Sequence, residues 1–407
     1  MGFSKLTIRD VPLEHKVVLV RADYNVPLKN GKISDDLRIR ASLPTLQYLL
    51  DRQSRVVIMS HLGRPEGRDA SQSLKPVAVR LQELLGVPVS FLPDVKGDKV
   101  IQGLKKAKPG TITLLENLRY YKEEEANDEV FAESIAKATG ARYFVQDGFG
   151  VVHRAHASTD AITRFIPSVS GLLLEKEVQT ITLAMEHPKR PLVAVLGGAK
   201  ISDKITVIER FVDVADKIII GGAMANTFLQ YKGKKTGASL VEPGQEAILD
   251  SIYAAAEKKV GKDAVDSFLI LPVDVAVAKT ISDTATRKVV SVNAIESTDI
   301  ALDIGERSIE QVVRTVADAK TVVWNGTLGY AEVPAFAHGS ARLALALATQ
   351  AETTSIIGGG DTADFVLKWD SSKGESFSHV STGGGASLEL MAGKKLPGIE
   401  SLLNANK

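Results

Sequence analysis

Short apolar runs rich in β-branched residues recur along the chain. Each is closed by a polar loop containing glycine or proline, with helix-patterned stretches between. In the first half they are Lys16–Val20, Val56–Met59, Val87–Leu92, Ile112–Leu115 and Tyr143–Val145; in the second, Leu192–Leu196, Lys217–Ile220, Phe268–Leu271, Thr321–Trp324 and Ser355–Ile357. Runs that are continuous rather than alternating predict strands covered on both faces. Strand–helix repetition predicts parallel sheets, and this many strands predict two of them. The expected fold is α/β: two doubly wound parallel-sheet (Rossmann-like) domains facing a cleft.

The apolar spacing of Leu172, Leu173, Leu174, Val178, Ile181 and Met185, with Glu175, Lys176 and Glu177 interleaved, predicts a helix with one buried stripe, ended by Pro188 and Pro191. A hinge helix between two domains is expected there. The division expected is 1–170, the hinge 171–190, then 191–390, with 391–407 packing back on the first domain.

Composition narrows the function classes. Lys plus Arg is 50 and Asp plus Glu is 49, a balance that argues against a general nucleic-acid or membrane-surface binder. The cysteine count is zero, which removes disulfides, thiolate-held metals and a thiol nucleophile. No apolar signal core opens the chain and no apolar run approaches a membrane span, so a cytoplasmic protein without membrane or nucleic-acid partners is expected.

In doubly wound sheets ligands bind beyond the carboxyl ends of the strands, and the polar residues concentrate there. The first-half loops carry Arg21, Asp23 and Asn25; His61 and Arg64; Asn117 and Arg119; Asp147, His153, Arg154 and His156. Arg38 stands just ahead of a helix. Guanidinium groups converging from successive strand ends suit a small, highly charged phosphate or carboxylate ligand. No HExxH or comparable frame supports a metal at His153 and His156.

The second half places glycines at the same positions: Gly197-Gly198, Gly221-Gly222, Gly326, Gly358-Gly359-Gly360 and Gly383-Gly384-Gly385. Glycine lets backbone approach a ligand, and a helix starting just after turns its N–H groups toward phosphate. Asp361 could cap such a helix or hold Mg²⁺. Lys200 and Lys204, four apart, would share one face of a helix beginning near Lys200. No Gly-Lys pair is followed by Ser or Thr, so there is no P-loop, and GxGxxG and GxSxG are both missing.

Read together, RADYNVP (21–27), SHLGRP (60–65), LLENLRYYKEEE (114–125), QDGFGVVHRAHAST (146–159), LGGAKISDKI (196–205), IIGGAMANTF (219–228), LPVDV (271–275), VWNG (323–326), IIGGGDTADF (356–365) and VSTGGGASLEL (380–390) resemble the phosphoglycerate kinase family along essentially the whole chain. The resemblance implies reversible phosphoryl transfer from 1,3-bisphosphoglycerate to ADP, giving 3-phosphoglycerate and ATP. It implies direct in-line transfer after domain closure, with Mg²⁺ accompanying the nucleotide, in a monomer whose N-terminal domain holds the acid and whose C-terminal domain holds the nucleotide. By matching motif, Asp23, Tyr24 and Asn25 would bind the glycerate. His61, Arg64, Arg119 and Arg154 would clamp its phosphate, with the Leu62 and Gly63 backbone shaping the loop. Arg38, Lys200, Lys204 and Gly384 would serve the migrating phosphoryl. Gly222, Asn325, Glu332 and Gly359, Gly360, Asp361 and Thr362 would line the nucleotide site, Asp361 taking the metal.

The family usually has Pro where Thr327 stands, Val-Phe-Glu where Tyr330-Ala331-Glu332 stands, and a glycine at Ala301. These departures bear on nucleotide binding and leave the phosphate chemistry untouched. Two other readings remain at this level. A catalytically silent ligand-binding relative is opposed by intact Arg38, Lys204, Asp361 and the GGG segment, and a phosphate-sugar dehydrogenase by the missing dinucleotide fingerprint.

Overall fold

The structure, a computed structural model, describes residues 3–405 of the chain. These fall into two compact units: the residues up to Gln179 together with those from Lys395 onward, and Thr180–Lys394. The division falls inside the helix Leu172–Glu186.

The first unit is built on six parallel strands in the order Val89–Leu92, Thr111–Leu115, Arg55–Met59, Val17–Arg21, Tyr143–Gln146 and Ser168–Ser170. Val17–Arg21 pairs Arg21 with Met59 on one side and with Gln146 on the other. Strand order reverses there, so the loop Ala22–Asn25 leaves the sheet at its topological switch point. Val18, Val20, Val56, Ile58, Ile112, Leu114 and Val145 form the core with Leu46, Leu49, Val77 and Leu81 from flanking helices. The chain's end joins this unit. Buried Lys5 donates to the carbonyls of Glu400 and Leu402 and to Asn404 Oδ1, while the Leu6 amide donates to Leu403 O.

The second unit repeats the plan. Its strands run Leu269–Ile270, Lys217–Ile220, Leu192–Leu196, Thr321–Asn325, Thr354–Gly358 and His379–Val380, all parallel. The reversal lies between Leu192–Leu196 and Thr321–Asn325, where Leu196 sits opposite Asn325 and Asn325 opposite Gly358. Two parallel sheets with flanking helices therefore stand as the sequence pattern predicted.

The pattern missed the edge strands Ser168–Ser170 and His379–Val380, three and two residues long. It also missed an antiparallel sheet of Lys288–Ser291, Asp274–Ala278 and Ile300–Ile304. In its central strand Val275 and Val277 pack toward Leu229, Val292 and Ile295, and Ala276 and Ala278 toward Val333 and Phe336. Both faces are buried, so no polar alternation marks the strand.

Candidate active site

In the first unit Arg21 closes its strand and Asp23 and Asn25 follow it at the switch point. Arg38, on the first turn of the helix Leu37–Asp51, donates to Asn25 O at 2.9 Å and lies 3.4 Å from Asp23 Oδ1. Burial works against charge on Asp23. The Arg38 charge first, then the Asn25 amide and the Arg21 charge, outweigh it and hold the carboxyl below its usual range. Asn25 Oδ1 accepts from the Gly63 amide at 2.8 Å, and Gly63 O accepts from Arg119 Nη1 at 2.7 Å. Gly63 adopts φ +63°, a left-handed conformation that favours glycine. The Leu62 side chain is buried, and its backbone is clamped by Asn117, which accepts from the Leu62 amide and donates to its carbonyl.

Arg119, in the single turn Leu118–Tyr120, reaches Glu125 Oε1 at 3.2 Å. Burial lowers its pKa, Glu125 raises it, and the charges of Arg154 and Arg64 lower it again. Those two exposed guanidiniums have no carboxylate within 4 Å among the described residues. Arg154 instead donates to His153 Nε2 at 3.1 Å. Three mutually repelling cations with one carboxylate between them make a site for a multiply charged anion. His61 is buried beside it, and desolvation keeps its imidazole neutral, well below the usual histidine range.

Tyr24 corrects the sequence reading. Its ring lies wholly in the core and its hydroxyl is 2.9 Å from Ser42 Oγ. A strand end alternates its side chains, so Asp23 and Asn25 face the patch while the residue between them faces inward.

In the second unit, Gly197 and Gly198 follow Leu196, and Asn325 ends the neighbouring strand with Gly326 just after it. A Cβ on Gly197 would meet Thr327 O at 2.1 Å, and one on Gly326 would meet Gly197 C at 2.3 Å and Lys204 Nζ at 2.8 Å. Only backbone fits between them. Gly222, at φ +63°, opens the helix Gly222–Tyr231, and a Cβ there would meet Gly198 N at 2.6 Å. Lys204 Nζ donates to Asn325 Oδ1 at 2.6 Å and to Asn325 O at 3.0 Å. Burial pushes the Lys204 ammonium down to about 8, against the charges of Asp361 and Asp203. Asn325 Nδ2 is buried with no partner among the described residues, a donor left over in a pocket of glycine backbone. The buried Thr362 hydroxyl accepts from the Gly326 amide at 2.7 Å.

Gly359, at φ +86°, precedes the helix Gly360–Trp369, whose first turn carries exposed Asp361 with no capping hydrogen bond. Gly384, at φ +50°, precedes the short helix Gly385–Met391. Exposed Glu332 lies beyond Tyr330, whose amide donates to Leu302 O; among the described residues no hydrogen bond or ion pair joins Glu332 to Lys204 or Asn325.

The lysine pair needs a correction. The helix runs Ile205–Val214, so Lys200 and Lys204 do not share a helical face. Residues 201–204 form a turn instead, because Glu242 accepts from the amides of Ile201 and Ser202 and Lys204 N donates to Ile201 O. Lys204 turns into the glycine pocket; Lys200 stays exposed.

Motif reading counted Arg21 among the strand-end arginines without giving it a role, and it passed over Glu124. Both are buried, with Nη2 3.7 Å from Oε1. Glu124 sits in an acidic run that reads as a solvated surface, and nothing local marks it as the buried member.

Whole-chain comparisons point to a single family. The family model described as phosphoglycerate kinase matches residues 8–394. The chain is 46% identical over 398 residues to a phosphoglycerate kinase of Dictyoglomus turgidum, covering 98% of each, and 45% identical over 400 residues to one of Moorella thermoacetica, covering 98% of this chain and 99% of that one. Among solved structures it superposes on phosphoglycerate kinase from Coxiella burnetii with a TM-score of 0.83 at 39% identity, and on that from Pyrococcus horikoshii with 0.84 at 31%, each covering 98% of both chains.

Proposed function

From the premise that the chain belongs to the phosphoglycerate kinase family, and so catalyses reversible phosphoryl transfer between 1,3-bisphosphoglycerate and ADP, we propose how its residues divide that work. The observation that carries the proposal is the contrast between the two switch points: guanidiniums in one unit, glycine backbone around a lysine in the other.

In this reading the first unit binds 3-phosphoglycerate. Asp23 and Asn25 hold the glycerate end, Arg64, Arg119, Arg154 and His61 hold the phosphate, and Arg38 reaches the carboxylate that receives the phosphoryl group. Tyr24 serves by packing. The second unit binds the nucleotide. Gly222, Gly359 and Gly360 let backbone approach its phosphates, Asn325 Nδ2 and Thr362 stand beside them, Lys200 adds charge from the rim, and Glu332 meets the sugar. Lys204, and the Gly384 backbone, meet the phosphoryl in flight.

The family works on the magnesium complexes of its nucleotides. Asp361 fits a divalent ion, because its exposed carboxylate stands at a helix start shaped for phosphate, and such an ion takes its other ligands from phosphate oxygens and water. When bound, the metal neutralises phosphate charge.

Acyl phosphate is already activated, so no strong base is required. In-line positioning and neutralising the equatorial oxygens supply most of the acceleration. Direct transfer requires the two bound ligands to be brought into line, which also excludes water. A cytoplasmic monomer completes the proposal, supported by a chain without cysteine in which no described helix is long and apolar enough to cross a membrane.

A coupled assay with 3-phosphoglycerate and MgATP tests the division of labour. Arg64→Ala should raise KM for 3-phosphoglycerate roughly 10- to 100-fold while kcat falls little, since a contact to the spectator phosphate is alike in ground and transition states. A kcat loss equal to that of Arg38→Ala would refute it.

The Lys204 ammonium adds a pH signature. Its charge is present below about pH 8 and lost above, so kcat/KM for MgATP should fall as pH rises through that value. A flat profile to pH 9.5 would remove Lys204 from the phosphate site.

A further inference from the structure

Behind the arginine patch lies a buried polar chain that the division of labour above does not use. Glu124 is fully buried; its Oε2 accepts from the Ser158 amide at 3.0 Å and its Oε1 from the Ser158 hydroxyl at 2.5 Å. Arg21, 1% exposed, donates from Nε to Ser158 Oγ at 2.7 Å and from Nη1 to Ala22 O at 2.6 Å, and its Nη2 lies 3.7 Å from Glu124 Oε1. The same Nη2 stands 3.3 Å from His61 Nδ1.

A guanidinium has donors only. The His61 nitrogen facing it must therefore accept, which leaves the ring's single proton on Nε2. Protonating both nitrogens would set N–H against N–H. The other charges around His61 are Asp23, which favours a proton, and Arg119 and Arg38, which with Arg21 oppose one. On the far side, Glu124 faces His156 Nδ1 at 4.0 Å. Burial first, then Arg21, Arg119, Arg154 and His153, push that imidazole down to about 4, so it brings no competing charge.

We infer that Glu124 is a positioning residue: through Ser158 and Arg21 it fixes His61 as the neutral Nε2–H tautomer, so that His61 offers the substrate anion one hydrogen-bond donor of constant form across neutral pH. Arg21 then serves the site from behind as the link between Glu124 and the ring. The inference rests on the assignment of His61 to the substrate patch for its functional consequence, and on Arg21, Ser158 and Glu124 alone for the tautomer.

The test uses full-length protein labelled with ¹⁵N-histidine. In ligand-free wild type, long-range ¹H–¹⁵N correlations should show His61 with an unprotonated Nδ1 and a protonated Nε2, unchanged from pH 5.5 to 9. Glu124→Gln, which keeps the shape and removes the charge, should mix the tautomers. It should also raise KM for 3-phosphoglycerate about tenfold with kcat within about twofold, the loss of roughly one hydrogen bond. Arg21→Lys keeps the buried charge but has no fork to span Ser158 and His61, and should do the same if Glu124→Gln fails to fold. An Nδ1–H tautomer, or a His61 titration near pH 6.5 in wild type, would overturn the inference, as would unchanged tautomer and KM in a folded variant. Titrating wild type with 3-phosphoglycerate separates the two levels. Unmoved His61 resonances would remove His61 from the substrate patch while leaving the tautomer assignment standing.

Discussion

Replacing Lys204 with alanine should lower kcat by roughly 10³-fold or more while the fold persists, an effect of about 4 kcal/mol on the barrier. The ammonium is held by two bonds to Asn325, one to its side-chain oxygen and one to its carbonyl. Glycine backbone surrounds it; a Cβ on Gly198 would come within 3.5 Å of Nζ. Partial burial weakens water's competition for its charge, so its attraction to developing phosphoryl charge is larger than an exposed lysine could supply. Nucleotide KM should change far less than kcat, because Gly222, Gly359 and Asn325 remain. Lys204→Arg should also fail, since Asn325 and the glycines leave no room for a guanidinium. Steady-state kinetics in both directions, with circular dichroism to establish folding, check this. A kcat within tenfold of wild type would remove Lys204 from the chemistry.

Arg38→Ala should have a comparable effect on kcat, again about 10³-fold, as for other arginines that stabilise a migrating phosphoryl group. The side chain is 29% exposed, with Nη1 engaged by Asn25 O and near Asp23, which leaves the rest of the fork for a ligand. Arg64 and Arg154 should not substitute, because in the proposed division they serve the spectator phosphate, whereas Arg38 bonds to Asn25 O and lies near Asp23. Arg38→Lys should recover only part of the loss, because a point charge lacks the planar pair of donors. Coupled-assay kinetics at saturating 3-phosphoglycerate measure this directly. A variant whose defect disappears at high substrate would show that Arg38 binds rather than catalyses.

How much of this was legible in the sequence follows from where each signal lives. Core strands announce themselves because a doubly covered strand needs an unbroken apolar run, as Leu192–Leu196 and Val56–Met59 do. Ser168–Ser170 and His379–Val380 each pair with one strand of their sheet, Ser170 adding only an isolated bridge to Thr7, and at three and two residues they are too short for composition to set them apart from a loop. Of the site, the glycines and arginines were legible because strand-end position alone gives them meaning. The face that a residue presents was not. Tyr24 reads as a third ligand until the core claims its ring, and Lys200 reads as the helical partner of Lys204 until Glu242 pulls the intervening residues into a turn. Glu124 is the extreme case. Its role depends on Ser158, thirty-four positions away, and no local pattern separates it from its exposed neighbours.

The measurement closest to the central claim is the binding of a planar phosphoryl mimic. Aluminium fluoride, titrated calorimetrically into protein carrying 3-phosphoglycerate and MgADP, should bind tightly only when both are present. Arg38→Ala and Lys204→Ala should each weaken that binding about 10³-fold, in line with their effect on kcat. Wild-type affinity for the mimic in either variant would contradict the view that charge from both units acts on one phosphoryl group.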